Sequence, residues 1–127
     1  MEIKTSELLG PALDWAVAEV MGLKPQLGIN SRVVVSAIAL GLQSARWEWF
    51  QPSTDWSQGG PIIEREGVSL AAPSAIDSDW VAFSNMLRNP DKKQHGPAPL
   101  VAAMRCYVAS KNGNEIEVPD ELFSKTP

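Results

Sequence analysis

The residues best suited to chemistry lie together in the segment between Pro52 and Gly67. This segment combines an aromatic face, hydrogen-bonding side chains, a glycine pair and a cation. Two glycines ahead of a helix let the backbone approach a ligand, and free N–H groups at a helix start favour an anion. An aromatic face beside a cation suits a planar, anionic molecule. The pattern therefore predicts a ligand-binding loop formed by Thr54, Asp55, Trp56, Gln58, Gly59, Gly60 and Arg65, with Arg105 as a second cation.

The glycine pair also has a simpler interpretation, a tight turn that leads into a helix. Gly59-Gly60-Pro61 lacks the Gly-Lys-Ser/Thr sequence of a phosphate-binding loop and the glycine spacing of a dinucleotide-binding fingerprint. The segment thus matches neither nucleotide motif, and both interpretations stay open.

Metal and cysteine chemistry are not favoured by the composition. The chain has one histidine, His95, and one cysteine, Cys106, whereas a structural zinc site needs several ligands at set spacing. Arg105 would lower the thiol pKa if both groups were exposed, but the apolar face of the surrounding helix predicts a buried, inert thiol. We interpret His95 as an exposed loop residue. The sequence therefore predicts no metal ligand, no cofactor and no catalytic residue.

Carboxylates are the remaining candidates for catalysis. Glu64 and Glu66 flank Arg65, and residues two apart on a helix point in different directions, so they do not form an acid–base pair. A small nucleotide-acting enzyme would need its acid or base among Asp14, Asp55, Glu64 and Glu66. This enzyme is the third functional alternative.

Two long helices must frame the candidate segment. Apolar side chains recur at helical spacing within residues 13–21 and a glycine follows, which predicts a first helix. Either this helix starts late, with Pro11 at its first helical position, or Thr5 or Ser6 caps an earlier start and the helix kinks at Gly10-Pro11. The second helix is predicted to open at Pro97 or Pro99 and to end before Gly113.

The other elements are predicted to be short. Pro61 can open a central helix that Gly67 closes, and the later half of segment 32–42 suits a strand or a helix equally. Strands are predicted at 32–42, 47–50, 68–71 and 80–83, and the first two are predicted to form a hairpin. A brief alternation follows at 115–118, and loops are predicted at 24–31 and 89–96. Two main helices packed against a small antiparallel sheet, with a short central helix, give an α+β fold in a single domain of residues 1–127.

Five tryptophans are many for a chain of 127 residues. Trp15 lies beside the apolar stripe of the first helix, so we expect it to flank the core. Trp47 and Trp49 share one face of their strand and suit either the core or an exposed platform. An exposed pair would mark a binding surface.

Composition narrows the classes of partner. The net charge is −4, with 11 basic residues scattered among 15 acidic ones, so nucleic acid is not an expected partner. We interpret the basic group at Arg88, Lys92 and Lys93 as a solvated loop. The sequence has no apolar run of membrane-spanning length, and one cysteine suits a reducing compartment. We expect a soluble cytoplasmic protein without a membrane partner, and we hypothesise a homodimer.

Three blocks of the sequence carry a more specific pattern. They are Lys4–Leu8 with Ala12–Val17, then Pro52–Trp56 with Gly59–Arg65, and last Gly96–Pro97 and Pro99–Lys111 with Ile116–Pro119. In this order the blocks resemble the NinX-like family of small phage proteins. The resemblance implies a setting, the cytoplasm of an infected bacterium, and it carries no activity over to this chain.

These observations give a leading hypothesis and a rival. The leading hypothesis is a non-catalytic binding module that captures a small, anionic, nucleotide-like ligand, such as a signal of host defence. Trp56 would stack on the ligand, and Arg65 or Arg105 would pair with its charge. The rival is a protein–protein inhibitor or adaptor that binds a host enzyme through exposed tryptophans and acidic side chains.

Overall fold

The computed structural model describes residues 1–43, 46–84 and 93–122, which form an α+β fold as predicted. The helices of this described part are α1 (Gly10–Met21), α2 (Trp56–Glu66) and α3 (Pro99–Asn112). Its strands are β1 (Glu2–Lys4), β2 (Gln26–Leu27), β3 (Val33–Ser36), β4 (Trp47–Trp49), β5 (Val68–Ala71), β6 (Trp80–Ser84), β7 (Gln94–Gly96) and β8 (Glu115–Glu117).

The strands divide among three small antiparallel sheets, where the sequence suggests one. Strand β1 pairs with β8, β3 lies between β2 and β4, and β6 lies between β5 and β7. Sheets this narrow are only marginally stable alone, so each needs a helix to cover one face. Helix α3 contacts β8 and the β5–β6–β7 sheet, and α1 contacts β3.

Helix α3 contributes to two buried clusters at once. Met104 belongs to the main core together with Leu13 of α1. Cys106 belongs to a second cluster with Ala82 of β6. The helix is therefore buried on more than one face, and small residues allow the β5–β6–β7 sheet to approach it closely.

Both predicted long helices are confirmed, and local signals set their ends. Helix α1 carries Pro11 in its first turn and stops at Gly22, whose φ of 76° is the left-handed conformation that favours glycine. Helix α3 begins at Pro99, one of the two predicted starts. Lys111 lies in its last turn and Gly113 follows it, as predicted.

Strands β3 and β4 form the predicted hairpin. Val33 and Val35 are buried, so the alternate residues of the sheet lie on its outer face. Residues 37–41 form turns and neither extend the strand nor form a helix. The segment 24–31, predicted as a loop, contributes β2 and a single 3-10 turn at Ile29–Ser31.

Helix α2 starts at Trp56 and not at Pro61, so the predicted start is wrong, whereas its closure at Gly67 is confirmed. Asp55 decides the start because its side chain accepts a hydrogen bond from the Ser57 N–H and caps the helix. Pro61 lies within the helix, where it cannot donate to the carbonyl group four residues back.

The prediction of a loop at 89–96 is wrong in its last three residues, which form β7 and pair with β6. Residues 85–92, which include Arg88 and Lys92 of the predicted basic loop, lie outside the described residues. A Cβ on Gly96 would lie 2.7 Å from a backbone nitrogen of α3, so the strand runs very close to this helix. Because Gln-His-Gly has little strand propensity, its partners make it a strand.

Close packing at Gly59 predicts an intolerant site in α2. A Cβ there would lie 2.5 Å from the Pro52 carbonyl oxygen and 2.6 Å from Leu100 Cδ2. Gly59→Ala must therefore displace backbone atoms or α3. We expect urea titration to show a loss of about 1–3 kcal/mol in the free energy of unfolding.

Gly60→Ala is the matched control, because it makes the same change at the next residue of the helix. A Cβ at Gly60 would meet nothing within 4 Å. Alanine gains about 0.5–1 kcal/mol over glycine in a helix, but the ring of Pro61 disfavours the helical conformation for a preceding residue with a Cβ. We expect a stability near that of the wild type. Equal losses in both variants would show that contact at Gly59 is not the cause.

Candidate functional site

The first three predicted ligand residues form the start of α2. Asp55 Oδ1 accepts hydrogen bonds from the Ser57 backbone N–H at 2.9 Å and from the Ser57 hydroxyl at 2.6 Å. The Thr54 hydroxyl donates to the Gln51 carbonyl oxygen at 3.4 Å. Both side chains thus orient the helix start, and the Trp56 indole beside them is 55% exposed.

Gln58 links α2 to strand β4. Its Oε1 accepts the Gln51 backbone N–H at 2.7 Å, and its Nε2 donates to the Trp49 carbonyl oxygen at 2.8 Å. Both ends of the amide are engaged within the protein. The side chain therefore fixes the position of Trp49 relative to α2.

The glycine pair does not offer a backbone anion site ahead of a helix, because the helix begins before it. Gly59 and Gly60 both lie within α2, and the Gly59 N–H donates to the Asp55 carbonyl oxygen at 2.8 Å. Gly59 is buried against Pro52 and Leu100. The predicted position of the pair ahead of a helix, whether as an anion site or as a tight turn, is therefore wrong, and the observed role of Gly59 is close packing.

Arg65 lies at the end of α2 and is paired within the protein. Its Nε donates to Glu66 Oε2 at 2.9 Å, and its Nη2 donates to the Tyr107 hydroxyl at 3.5 Å. Glu66 also forms an ion pair with Lys111 at 3.3 Å. The hydrogen bond from Arg65 lowers the pKa of the Glu66 carboxyl, and Lys111 adds to this effect.

Arg105 lies elsewhere in the fold. Its Nε donates to the Leu8 carbonyl oxygen and its Nη1 to the His95 carbonyl oxygen, both at 2.8 Å. Burial lowers the pKa of this guanidinium. Residues two apart on a helix differ by roughly 200° in direction, so Arg105 and Tyr107 lie on different sides of α3. Because Arg65 contacts Tyr107, the structure does not bring the two predicted arginines together.

Gln58 and Arg65 line a cavity of about 350 Å³ beside α2. Its other walls are largely apolar and include Phe50 and Ile62. Glu48, whose carboxylate is ion-paired with Arg46, also lies in the lining, so an anion in this cavity would meet a carboxylate as well as Arg65.

A larger site, the aromatic cleft, opens on the outer face of the β2–β3–β4 sheet. We define it by Gln26, Ile29, Asn30, Arg32, Trp47 and Trp49, and its volume is about 550 Å³. Trp47 and Trp49 are each 55% exposed. This answers the question that the sequence leaves open: the pair forms a platform on the surface.

Arg32 places a positive charge in the aromatic cleft. Its guanidinium carbon lies 3.5 Å from the centroid of the Trp49 ring, and its Nη2 donates to Gln51 Oε1 at 3.4 Å. Among the described residues that line the cleft, Arg32 is the one cation and there is no carboxylate. In a protein of net charge −4, such a lining makes the cleft locally favourable to anions.

The turn on one side of the cleft holds strained backbone. Asn30 and Ser31 both have a φ of 58°, in the left-handed region that residues with a Cβ seldom adopt. Such residues cost on the order of 1 kcal/mol each and persist where their surroundings impose them. The Gly28 N–H donates to the Arg32 carbonyl oxygen at 2.7 Å and closes this turn.

Comparison with known proteins places this chain in a family. Residues 4–111 match the family model described as Bacteriophage P22, NinX. The chain belongs to this phage NinX family. The resemblance carried by the three sequence blocks is confirmed, although Ile116–Pro119 lies beyond the matched residues. No curated protein matches the chain.

The match covers α1, α2, all but the last residue of α3 and the aromatic cleft, so the cleft lies within the family region. None of its described helices has the length and apolar character needed to cross a membrane.

The carboxylates considered for catalysis in this NinX protein have unlike surroundings. Asp55 caps α2 and Glu66 is paired with two cations. Glu64 is exposed. Asp14 is 4% exposed, and its Oδ1 accepts the Ser53 backbone N–H at 2.9 Å, which ties α1 to the segment before α2.

The single cysteine of the NinX protein is buried, as predicted. Cys106 is fully enclosed between α3 and β6. Burial raises the pKa of its thiol to about 11, so the thiol is protonated at neutral pH. The predicted burial is confirmed, and the inertness of the thiol stays a prediction.

A cluster that the sequence analysis missed joins Asp77, Asp79 and His95. Each offers one ligand atom, and these atoms all lie within 4.8 Å of one another. His95 Nδ1 lies 3.1 Å from Asp77 Oδ2, so this histidine is not the isolated loop residue that the sequence suggests. The pairing of β6 with β7 brings the cluster together, and no local motif signals it.

Asp14 predicts a pH dependence of stability. Burial raises the pKa of its carboxyl to about 6, while hydrogen bonding from Ser53 opposes the rise. The ordinary value is about 3.9, so the folded state binds the extra proton between the two values. The contribution of Asp14 to stability is therefore fully present below about pH 4 and is lost as the pH rises through about 6.

The variant Asp14→Asn tests this dependence, because its side chain cannot ionise and its oxygen can still accept the Ser53 N–H. We expect the melting temperature of this variant, relative to that of the wild type, to rise between about pH 4 and pH 7. The corresponding gain in the free energy of unfolding, relative to wild type, is up to about 3 kcal/mol. Glu64→Gln, which removes an exposed carboxylate, should follow the wild-type curve. A difference between Asp14→Asn and wild type that does not change with pH would contradict the prediction.

Proposed function

We propose that this phage NinX protein is a non-catalytic binding module that holds a planar, anionic, nucleotide-like molecule in its aromatic cleft. The observation that carries the proposal is the combination of two exposed indoles and one guanidinium in a cleft whose described lining has no carboxylate. The proposed setting is the cytoplasm of an infected bacterium, and membership of a phage family supports this setting.

The indoles of Trp47 and Trp49 provide the stacking surface. A base stacked on an aromatic side chain gains about 1–3 kcal/mol, whichever base it is. A guanidinium stacked on an indole keeps its N–H donors at its edge, so Arg32 can extend the platform and pair with a phosphate at the same time.

The size and polarity of the cleft suit a ligand of this kind. A volume of about 550 Å³ lies within the usual range for small-molecule sites. Most of the lining is apolar, and the amides of Gln26 and Asn30 lie at its walls. A few polar groups in an apolar cleft are what fixes the orientation of a bound molecule.

The predicted site around Trp56 and Arg65 is the second location considered for the same ligand. Arg65 is already paired with Glu66, and Glu48 lines the adjacent cavity. An anion there would compete with one carboxylate and face another. The aromatic cleft is favoured because Arg32 has no such carboxylate beside it in the lining.

A module of this kind would act by stoichiometric capture, which needs affinity and no turnover. Nucleotide-like signals of host defence are the proposed ligands, since a phage protein gains from lowering their free concentration. The candidate carboxylates support the absence of turnover, because none of the four lies in the described lining of the cleft.

The rival function is a protein–protein inhibitor or adaptor, and the same face favours it. Ile29 is 85% exposed next to the two 55% exposed tryptophans, which is a large apolar surface for a small protein. The homodimer stays a prediction, which light scattering of the purified protein tests. A dimer that buries Trp47 and Trp49 would support a protein interface at this face.

The test of the proposal compares three tryptophans of equal exposure. Trp47→Ala, Trp49→Ala and Trp56→Ala each remove an indole that is 55% exposed, but only the first two change the cleft. Adenosine 5′-monophosphate and a cyclic dinucleotide serve as probes in isothermal titration, with adenosine as the control without phosphate. We expect the two cleft variants and Arg32→Ala to weaken binding about tenfold or more, and Trp56→Ala to leave it unchanged.

Each outcome of the titration separates the alternatives. Loss of binding in Trp56→Ala and Arg65→Ala alone would move the site to α2. Equal binding of adenosine would contradict the role of Arg32. If neither probe binds, and mass spectrometry finds no small molecule released by heat from protein purified from defence-active bacteria, the ligand hypothesis fails and the rival is favoured.

A further inference from the structure

We propose that Asp77, Asp79 and His95 form a binding site for a divalent transition-metal ion. The site is separate from the aromatic cleft and does not depend on the proposed function. Its basis is a mixed set of donors, one imidazole and two carboxylates, whose ligand atoms lie within 4.8 Å of one another. Ligand atoms about 2.0–2.2 Å from one ion lie at most about 4.4 Å apart, so any pair near the 4.8 Å limit has to close by a few tenths of an ångström when the ion binds.

The carboxylate of Asp77 is held by its own turn. The Asp79 N–H donates to Asp77 Oδ1 at 3.0 Å, and the Ser74 N–H donates to the Asp77 carbonyl oxygen at 2.7 Å. The second oxygen of Asp77 lies 3.1 Å from His95 Nδ1. The carboxylate of Asp77 is therefore fixed in place and faces the imidazole.

The histidine is held from the other side of the cluster. His95 lies in β7, where it pairs with Val81 of β6, and its carbonyl oxygen accepts a hydrogen bond from Arg105 at 2.8 Å. Strand β6 follows Asp79 directly, so one sheet positions both halves of the cluster. Little rearrangement is needed beyond replacing the contact between Asp77 and His95 by an ion.

The donor set indicates the class of ion. Imidazole nitrogen with carboxylate oxygens suits Zn²⁺ and its neighbours, whereas Mg²⁺ and Ca²⁺ prefer oxygen alone. Two carboxylates balance the charge of a divalent ion. Arg105 interacts electrostatically with Asp79 and opposes the ion, so we expect binding weaker than in a closed structural site. A bound ion would hold the loop 72–79 against β7.

The sequence supplies a clean spectroscopic probe, since His95 is the only histidine and the only cysteine is buried. The protein, freed of any affinity tag, is titrated with ZnCl₂ at about pH 7.5, because zinc binds the neutral form of imidazole. The imidazole resonances are followed by NMR and the affinity by calorimetry, with MgCl₂ as the comparison ion. We expect saturable binding of one Zn²⁺ that shifts these resonances and raises the melting temperature.

Three variants assign the ligands. His95→Gln and Asp79→Asn should each weaken zinc binding about tenfold or more. Glu64→Gln removes an exposed carboxylate elsewhere and should leave the affinity unchanged. Circular dichroism checks that each variant is folded, and Asp77→Asn replaces any variant that is not. Unshifted imidazole resonances at saturating zinc, or equal affinity in His95→Gln, would overturn the proposal and leave the cluster a hydrogen-bonded pair beside a second carboxylate.

Discussion

Burial of α3 on several faces is the constraint on which the rest of this structure depends. No strand in the described residues exceeds five residues, and sheets of two or three such strands are only marginally stable without a helix to cover one face. Met104 joins α3 to the core around α1, while Ala102 and Cys106 allow the β5–β6–β7 sheet to pack close to the helix. Helix α3, with its small and medium apolar side chains, thus packs against α1 and against narrow sheets that could not form a core of their own.

The shape of the aromatic cleft depends on the packing of α3 through a short series of contacts. Leu100 of α3 packs against Gly59, which sets how closely α2 approaches. Gln58, the neighbouring residue, hydrogen-bonds the Trp49 carbonyl oxygen and positions β4. Arg32 then stacks on the Trp49 ring. Each of these contacts positions the next. A substitution at the interface of α2 and α3 should therefore alter the shape of the cleft, although it contacts no residue of the cleft.

Charge is distributed unevenly over the protein, and this distribution supports the proposed binding of an anion in the cleft. The chain carries a net charge of −4, yet the described lining of the cleft has one cation and no carboxylate. The Asp14 carboxyl, whose pKa is raised to about 6, is enclosed between α1 and the segment before α2. It accepts a hydrogen bond from the Ser53 N–H. Its shifted pKa is explained by burial at a structural junction, so it does not by itself indicate a catalytic acid.

Local signals in the sequence determined the α+β class, both long helices and the β3–β4 hairpin, because proline, glycine and apolar periodicity act over a few neighbouring residues. They failed at Pro61, where capping by Asp55 started the helix earlier and changed the meaning of the glycine pair. They also failed at His95, because the strand around it depends on pairing with β6. The sequence presented Trp47 and Trp49 without deciding whether they were buried. Only the tertiary structure could decide that, since exposure and the gathering of distant residues into one site depend on which faces the sheets turn toward α1 and α3.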